Sequence, residues 1–177
     1  GLQNWVNMLV KSKQRKSWEK LFPAGFPLYA GLTSAYDFSA LFGKGEEEDA
    51  ERGLFADFLQ EAAVIMNRPV LNETAELYRE AASRWQQLPA KLLPDAHPLL
   101  GESRQLMQQK HRAFLQQGGR ALDEIHGINN RLAALRQQAK DDFPLSEADV
   151  VALREGIAEQ LTHILAAEET AVLHLQQ

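Results

Sequence analysis

A seven-residue apolar repeat dominates the second half of the chain: Leu100, Met107, Phe114, Ala121, Ile128 and Leu135, with a second row through His111, Gly118, Ile125, Leu132 and Ala139. Such a repeat fits neither alternating strands nor loops; it belongs to long helices lying side by side. Gly118 and Gly119 stand near its midpoint. Each glycine costs about 1 kcal/mol relative to alanine inside a helix, so a kink or a break into two helices is expected there.

The rest of the chain carries the same three- and four-residue spacing, and no segment alternates with β-branched enrichment. The prediction is therefore an all-α multi-helix bundle of six to eight helices with no sheet. Its long C-terminal hairpin is expected to pair Leu100 to Ala139 with Ser146 to Leu175. The last helix has the sharpest start: Ser146 and Asp149 form an S-x-x-D capping box, and Leu145 is placed to staple onto Val150. Its seam runs through Val150, Leu153, Ile157, Leu161, Ile164, Glu168, Ala171 and Leu175.

Upstream, Leu2 to Val10 and Ser17 to Phe22 read as two short helices around a basic joint, Lys11 to Lys16. A stripe from Leu28 to Ala40 closes at Gly43 and Gly45. The acidic run Glu46 to Asp49 suits a helix N-terminus, where the macrodipole favours negative charge. In the helix that follows, Leu54, Phe55, Phe58, Leu59, Ala62, Ile65 and Met66 are expected to make one broad buried face. Asn67, Arg68 and Pro69 break it. Asn72 is the expected cap of the next helix, with stripe Ala75, Tyr78, Ala81, Ala82, Trp85 and Leu88. Pro89, Pro94 and Pro98 mark a connection, so residues 1–177 read as a single helical domain with a subdomain joint near 89–98.

With 177 residues and 45% hydrophobic composition the chain can bury a core without staples. A net charge of −5 argues against a phosphate-backbone grip, so nucleic acid is not an expected partner. No apolar run approaches the length of about 20 residues that crosses a bilayer, and no leader pattern opens the chain. A membrane is therefore not an expected partner either, and the expected location is cytoplasmic. The first residue is Gly1, as in an excised piece of a longer product. There is no cysteine, hence no thiol nucleophile and no thiolate metal site.

Phosphate-binding glycine loops and the G-x-S-x-G elbow are missing, so nucleotide hydrolysis and serine catalysis have no support. Asp123 with His126, and Glu159 with His163, have spacings that put two ligands on one helix face. No Glu-x-x-His accompanies them, and solvated faces explain both pairs, so no metal or other cofactor is assigned. His97 and His174 read as surface residues. Two ionisable residues do stand on apolar seams, His111 and Glu168. Buried charge demands a partner, so they are expected to meet each other or Glu61, either as a satisfied bridge or as a polar cleft. The candidate site is thus Glu61, His111 and Glu168, with no catalytic residue.

The stretch Arg52-Gly53-Leu54-Phe55-Ala56-Asp57-Phe58-Leu59-Gln60-Glu61-Ala62, with its F-x-x-F-L-x-E-A core, is followed by Tyr78-Arg79-Glu80-Ala81-Ala82-Ser83-Arg84-Trp85. Together they resemble the C-terminal helical domain of butirosin biosynthesis protein H-like proteins. Trp18 and the final helix with Glu168 and Glu169 extend the resemblance over nearly the whole chain. The chain departs from the family pattern in two places: Glu46 to Asp49 replace a glycine-rich segment, and Phe55 takes a tyrosine position. The resemblance implies a non-catalytic accessory domain, partnered by an N-terminal cysteine-containing domain of the same protein that performs acyl transfer or amide cleavage. In butirosin biosynthesis the relative moves an aminoacyl group from a carrier-protein thioester to an aminoglycoside amine. The helical part then shapes an acceptor pocket, docks a carrier protein or holds a homo-oligomer together. The different-class alternative is a freestanding helical bundle that binds a small molecule, a metal or a partner protein.

Overall fold

The computed structural model describes residues 17–42 and 48–176, together with Asn4, Asn7 and Met8, which are helical. The expected helix-forming residues Trp5, Val6, Leu9 and Val10, the basic joint Lys11 to Lys16, the closing pair Gly43 and Gly45, and Glu46 and Glu47 lie outside the described residues. Among the described residues the structure is all-α, without a strand. The helices are α1 (Trp18–Leu21), α2 (Phe26–Phe42), α3 (Arg52–Ile65), α4 (Val70–Leu92), α5 (Pro98–Gln117), a 3-10 turn (Gly118–Ala121), α6 (Leu122–Asp141) and α7 (Glu147–Leu175).

Their ends follow local chemistry. At the start of α7 the Asp149 amide donates to Ser146 Oγ at 3.2 Å and the Ser146 amide donates to Asp149 Oδ2 at 3.0 Å, closing the expected capping box. Leu145 and Val150 are both buried in the main core, as the staple requires. Helix α3 ends with Asn67 in the left-handed region at φ +51°. The Arg68 amide donates to the Ala63 carbonyl and the Asn67 amide to that of Val64, which satisfies carbonyls the helix end leaves over. Asn72 is not a cap: α4 already begins at Val70, behind Pro69, and Asn72 is exposed in its first turn. Pro89 does not end α4, which runs on to Leu92.

Glycine decides the hairpin. Gly118 has φ +55°, the helix breaks there, and α5 and α6 fold back on each other. Glu102 pairs with Arg131, and Glu124 accepts from Gln109, so the two run antiparallel. The hairpin is therefore α5 with α6, rather than one Leu100–Ala139 segment against the last helix. Helix α7 lies mainly along α4, its most extensive partner, also antiparallel: Gln160 bonds Arg84 near one end and His174 bonds Thr74 near the other. Ala75, Ala81 and Ala82 on α4 are buried, and Ala75 packs in one cluster with Ala171 of α7.

The main core joins α1, α2, α4, α5, α6 and α7 through residues such as Leu28, Leu32, Leu88, Leu92, Leu100, Leu135, Ile157, Leu161 and Ile164. Each such side chain, fully buried, contributes about 1.5–3 kcal/mol of transfer free energy. Leu88, Leu92, Leu93, Leu99 and Leu100 all belong to it, so the proline-marked connection is itself packed into the core. A second, smaller cluster of Ala56, Leu59, Ala75, Tyr78 and Ala171 joins α3, α4 and the end of α7.

Only part of the face expected on α3 turns inward: Leu59 is buried and Phe55 and Ala62 are half-buried. Ala56, Leu59 and Ala63 are buried, whereas Leu54, Phe58, Ile65 and Met66 are exposed. Ala56 and Leu59 pack with Ala75 and Tyr78 of α4, and the Phe55 ring stands edge-on to that of Tyr78 with centroids 4.7 Å apart.

Candidate functional site

Three helices leave a cleft of about 700 Å³ between them. Helix α2 supplies Tyr29, Thr33, Tyr36 and Asp37; α5 supplies Met107, Lys110, His111 and Phe114; α6 supplies Leu122, Ile125, Leu132 and Arg136. On each helix these positions fall three, four or seven apart, the spacing of a single helical face. The seven-residue repeat therefore divides. Ile128, Leu135 and Ala139 are buried, while Met107, Phe114, Ile125 and Leu132 become cleft walls.

The hydroxyls in this wall are already engaged. Tyr29 Oη and Ser103 Oγ share a hydrogen bond of 2.9 Å, and Ser103 Oγ donates to the Leu99 carbonyl at 2.7 Å. Thr33 Oγ1 donates to the Tyr29 carbonyl at 3.0 Å. The Tyr36 hydroxyl donates to Glu48 Oε1, and Gln108 Nε2 donates to Glu48 Oε2 at 3.0 Å. Burial raises the Tyr36 phenol well above its usual range, and the Glu48 bond adds to that, so Tyr36 is a donor and not a base. Burial likewise raises Asp37, with the Lys110 ammonium opposing. Burial raises Tyr29 too, against the Ser103 bond and the Arg136 charge. The Arg136 guanidinium carbon stands 5.4 Å from the centroid of the Phe26 ring.

Of the three residues expected to share a site, only His111 lines this cleft. Glu168 lies elsewhere, on α7: its Oε1 accepts from Arg52 Nε at 2.6 Å and from Trp85 Nε1 at 2.8 Å. It is a satisfied bridge among α3, α4 and α7, and His111 is not its partner. Glu61 is exposed on α3. The bridge has a structural task, because Arg52 also donates to the Ala50 carbonyl at 2.7 Å, and Glu48, Ala50 and Glu51 all have positive φ. Left-handed backbone costs about 1–2 kcal/mol for such residues. The Asp49 carboxylate helps hold the segment by accepting from the amides of Glu51 and Gly53. A β-carbon at position 53 would sit 2.5 Å from Asp49 Oδ2, so glycine is required for that approach. The acidic start of α3 thus works through Asp49, while Glu48 turns toward the cleft.

His174, read as a surface residue, is partly buried instead. Its Nδ1 lies 2.9 Å from Thr74 Oγ1 and its Nε2 3.6 Å from Glu73 Oε2. Thr74 is 1% exposed, so this hydroxyl, histidine and carboxylate arrangement has no room for a substrate and ties the end of α7 to the first turn of α4. A Thr at the start of one helix and a His at the end of another carry no sequence signal of their meeting. Asp123, His126, Glu159 and His163 are all exposed, and among the described residues no three His, Asp or Glu side chains gather as metal ligands would. No helix among them is long and apolar enough to cross a membrane.

Comparison of the chain with protein-family profiles, with curated proteins and with solved structures gives no match.

Proposed function

We propose that this chain is a non-catalytic helical binding domain whose small-molecule site is the cleft between α2, α5 and α6. The observation that carries the reading is the composition of that cleft. It is a concavity of about 700 Å³ with apolar walls and a few converging polar groups, the usual make-up of a ligand site. Its hydroxyls are held by their own hydrogen bonds, and a cysteine-free chain brings no thiolate, so the reading assigns holding rather than bond-making.

The resemblance to butirosin biosynthesis protein H-like proteins supports a more specific version, in which the cleft serves as the acceptor pocket for a cysteine-containing domain of the same protein or for a carrier protein. A cytoplasmic location belongs to that version. The F-x-x-F-L-x-E-A stretch behind it forms α3, with Phe58 and Leu54 exposed where a partner can reach them.

The test is methyl NMR on the 177-residue chain with a small amphiphile library. Binding is expected to move Met107, Ile125 and Leu132 methyl signals, and Leu132→Trp, which fills the cleft, is expected to abolish those shifts while the fold is retained. Shifts that leave these methyls untouched, or that survive the filled cleft, overturn the assignment.

A further inference from the structure

We infer that the outward face of α3 is a docking surface for an amphipathic helix of a partner protein that carries a lysine or arginine midway along its apolar seam. Leu54, Phe58, Glu61 and Ile65 follow one another at intervals of four, three and four residues, which at about 100° per residue sets them in one stripe. Ala56, Leu59 and Ala63, the buried residues of α3, lie on the opposite side. Leu54, Phe58 and Ile65 are 69%, 59% and 82% exposed. Single apolar side chains scattered over a surface are ordinary, but a helix apolar on both sides is built to be covered on both. The spacing is the one by which helices recognise helices. Phe58 is also held ready, because its ring stacks on Phe55 with centroids 5.9 Å apart and Phe55 in turn stands against Tyr78. An anchor already in place loses little freedom on binding.

Charge selects the occupant. Glu61 is exposed between Phe58 and Ile65, and no hydrogen bond or ion pair reaches it among the described residues. A helix that covers both apolar neighbours covers Glu61 as well, and a carboxylate taken out of water demands a counter-charge. The chain does not supply one from α3: its one cation, Arg52, is turned to Glu168, and its other carboxylate, Asp57, already holds Arg79 of α4. The same stripe of a second copy would set Glu61 against another carboxylate. A wholly apolar seam would cover Glu61 without answering it. A cation flanked by apolar residues answers both the stripe and its charge. Helix α3 gives no residue to the cleft, so the inference stands independently of the cleft's ligand.

The experiment titrates the intact chain with stapled helical peptides of about four turns that share one leucine seam and differ only at its centre, lysine, glutamine or glutamate, following the Leu54, Ile65 and Met66 methyl signals. The lysine peptide is expected to bind about tenfold more tightly than the glutamine peptide, the difference a charge-assisted contact makes, and the glutamate peptide is expected to bind weakest. The cleft signals of Met107, Ile125 and Leu132 are expected to stay still. Glu61→Gln is expected to erase the lysine preference while binding persists, and Ile65→Asp, at a position the fold leaves almost fully exposed, is expected to abolish binding. Equal affinity for the three peptides, or a lysine preference that survives Glu61→Gln, overturns the cationic partner. Peptides that move no signal of the stripe, or that still bind the Ile65→Asp variant, overturn the docking surface. Stripe signals that shift with the concentration of the chain alone assign the face to a second copy and overturn the inference.

Discussion

The α3–α4–α7 end of the molecule and the α2–α5–α6 end solve the same problem in opposite ways. Each has an ionisable side chain on an otherwise apolar helical seam, Glu168 in one and His111 in the other. At the first end the helices close on small residues, and Glu168 accepts from Arg52 and Trp85 in a closed bridge. At the second the helices stand apart, and His111 joins a wall of apolar and polar groups around a cleft. A polar residue on a seam therefore sits either in a closed bridge or on the wall of a cleft, and the packing of neighbouring helices decides which.

The comparison breaks most readily at Glu168. Glu168→Ala leaves Arg52 and the Trp85 N–H without their acceptor and releases the left-handed segment before α3. With Arg52 one-third exposed, the cost sits below that of a fully buried pair, at about 2–3 kcal/mol in chemical denaturation. An unchanged midpoint would show that the bridge is ornamental.

Smaller effects sharpen the contrast. Ser146→Ala should lower stability by about 0.5–2 kcal/mol by removing the cap of α7. Its pH signature is specific, because the Ser146 hydroxyl and amide hold the Asp149 carboxyl below its ordinary value of 3.8. That stabilisation is present above 3.8 and is lost as pH falls through the depressed value; the variant, which keeps only the backbone amide bond to Asp149, should show a smaller acid-side decline. Asp37 in the cleft runs the other way. Burial raises it, so its contribution is present at low pH and declines as pH rises past 3.8 toward the raised value. Carboxyl-carbon NMR titration should place Asp37 above and Asp149 below the ordinary range, and coincident titrations would erase the distinction.

Tyr36→Phe removes the donor to Glu48 at the border between the two ends and should cost about 0.5–1.5 kcal/mol, with faster amide exchange at residues 51–53. His111→Ala should cost less stability than Glu168→Ala while altering ligand affinity in the cleft. A loss as large as that of Glu168→Ala would make His111 a second structural bridge.

The all-helical architecture, the break at Gly118–Gly119 and the Ser146 capping box were legible from residues alone. Each rests on interactions spanning at most a few turns, where periodicity, glycine's freedom and a side chain reaching three residues ahead suffice. His111 and Glu168 were legible as anomalies for the same reason. Their separation was not, nor were the pairing of α7 with α4, the outward Leu54 and Phe58, or the meeting of Thr74 with His174. The amino-acid sequence determined which faces of which helices are apolar. Only the tertiary structure decided which faces close on one another and which stay apart, because that choice depends on how near two backbones can come. Ala75 packs with Ala171 where α4 meets α7, while Tyr36, Phe114 and Leu122 line the cleft that α2, α5 and α6 leave between them.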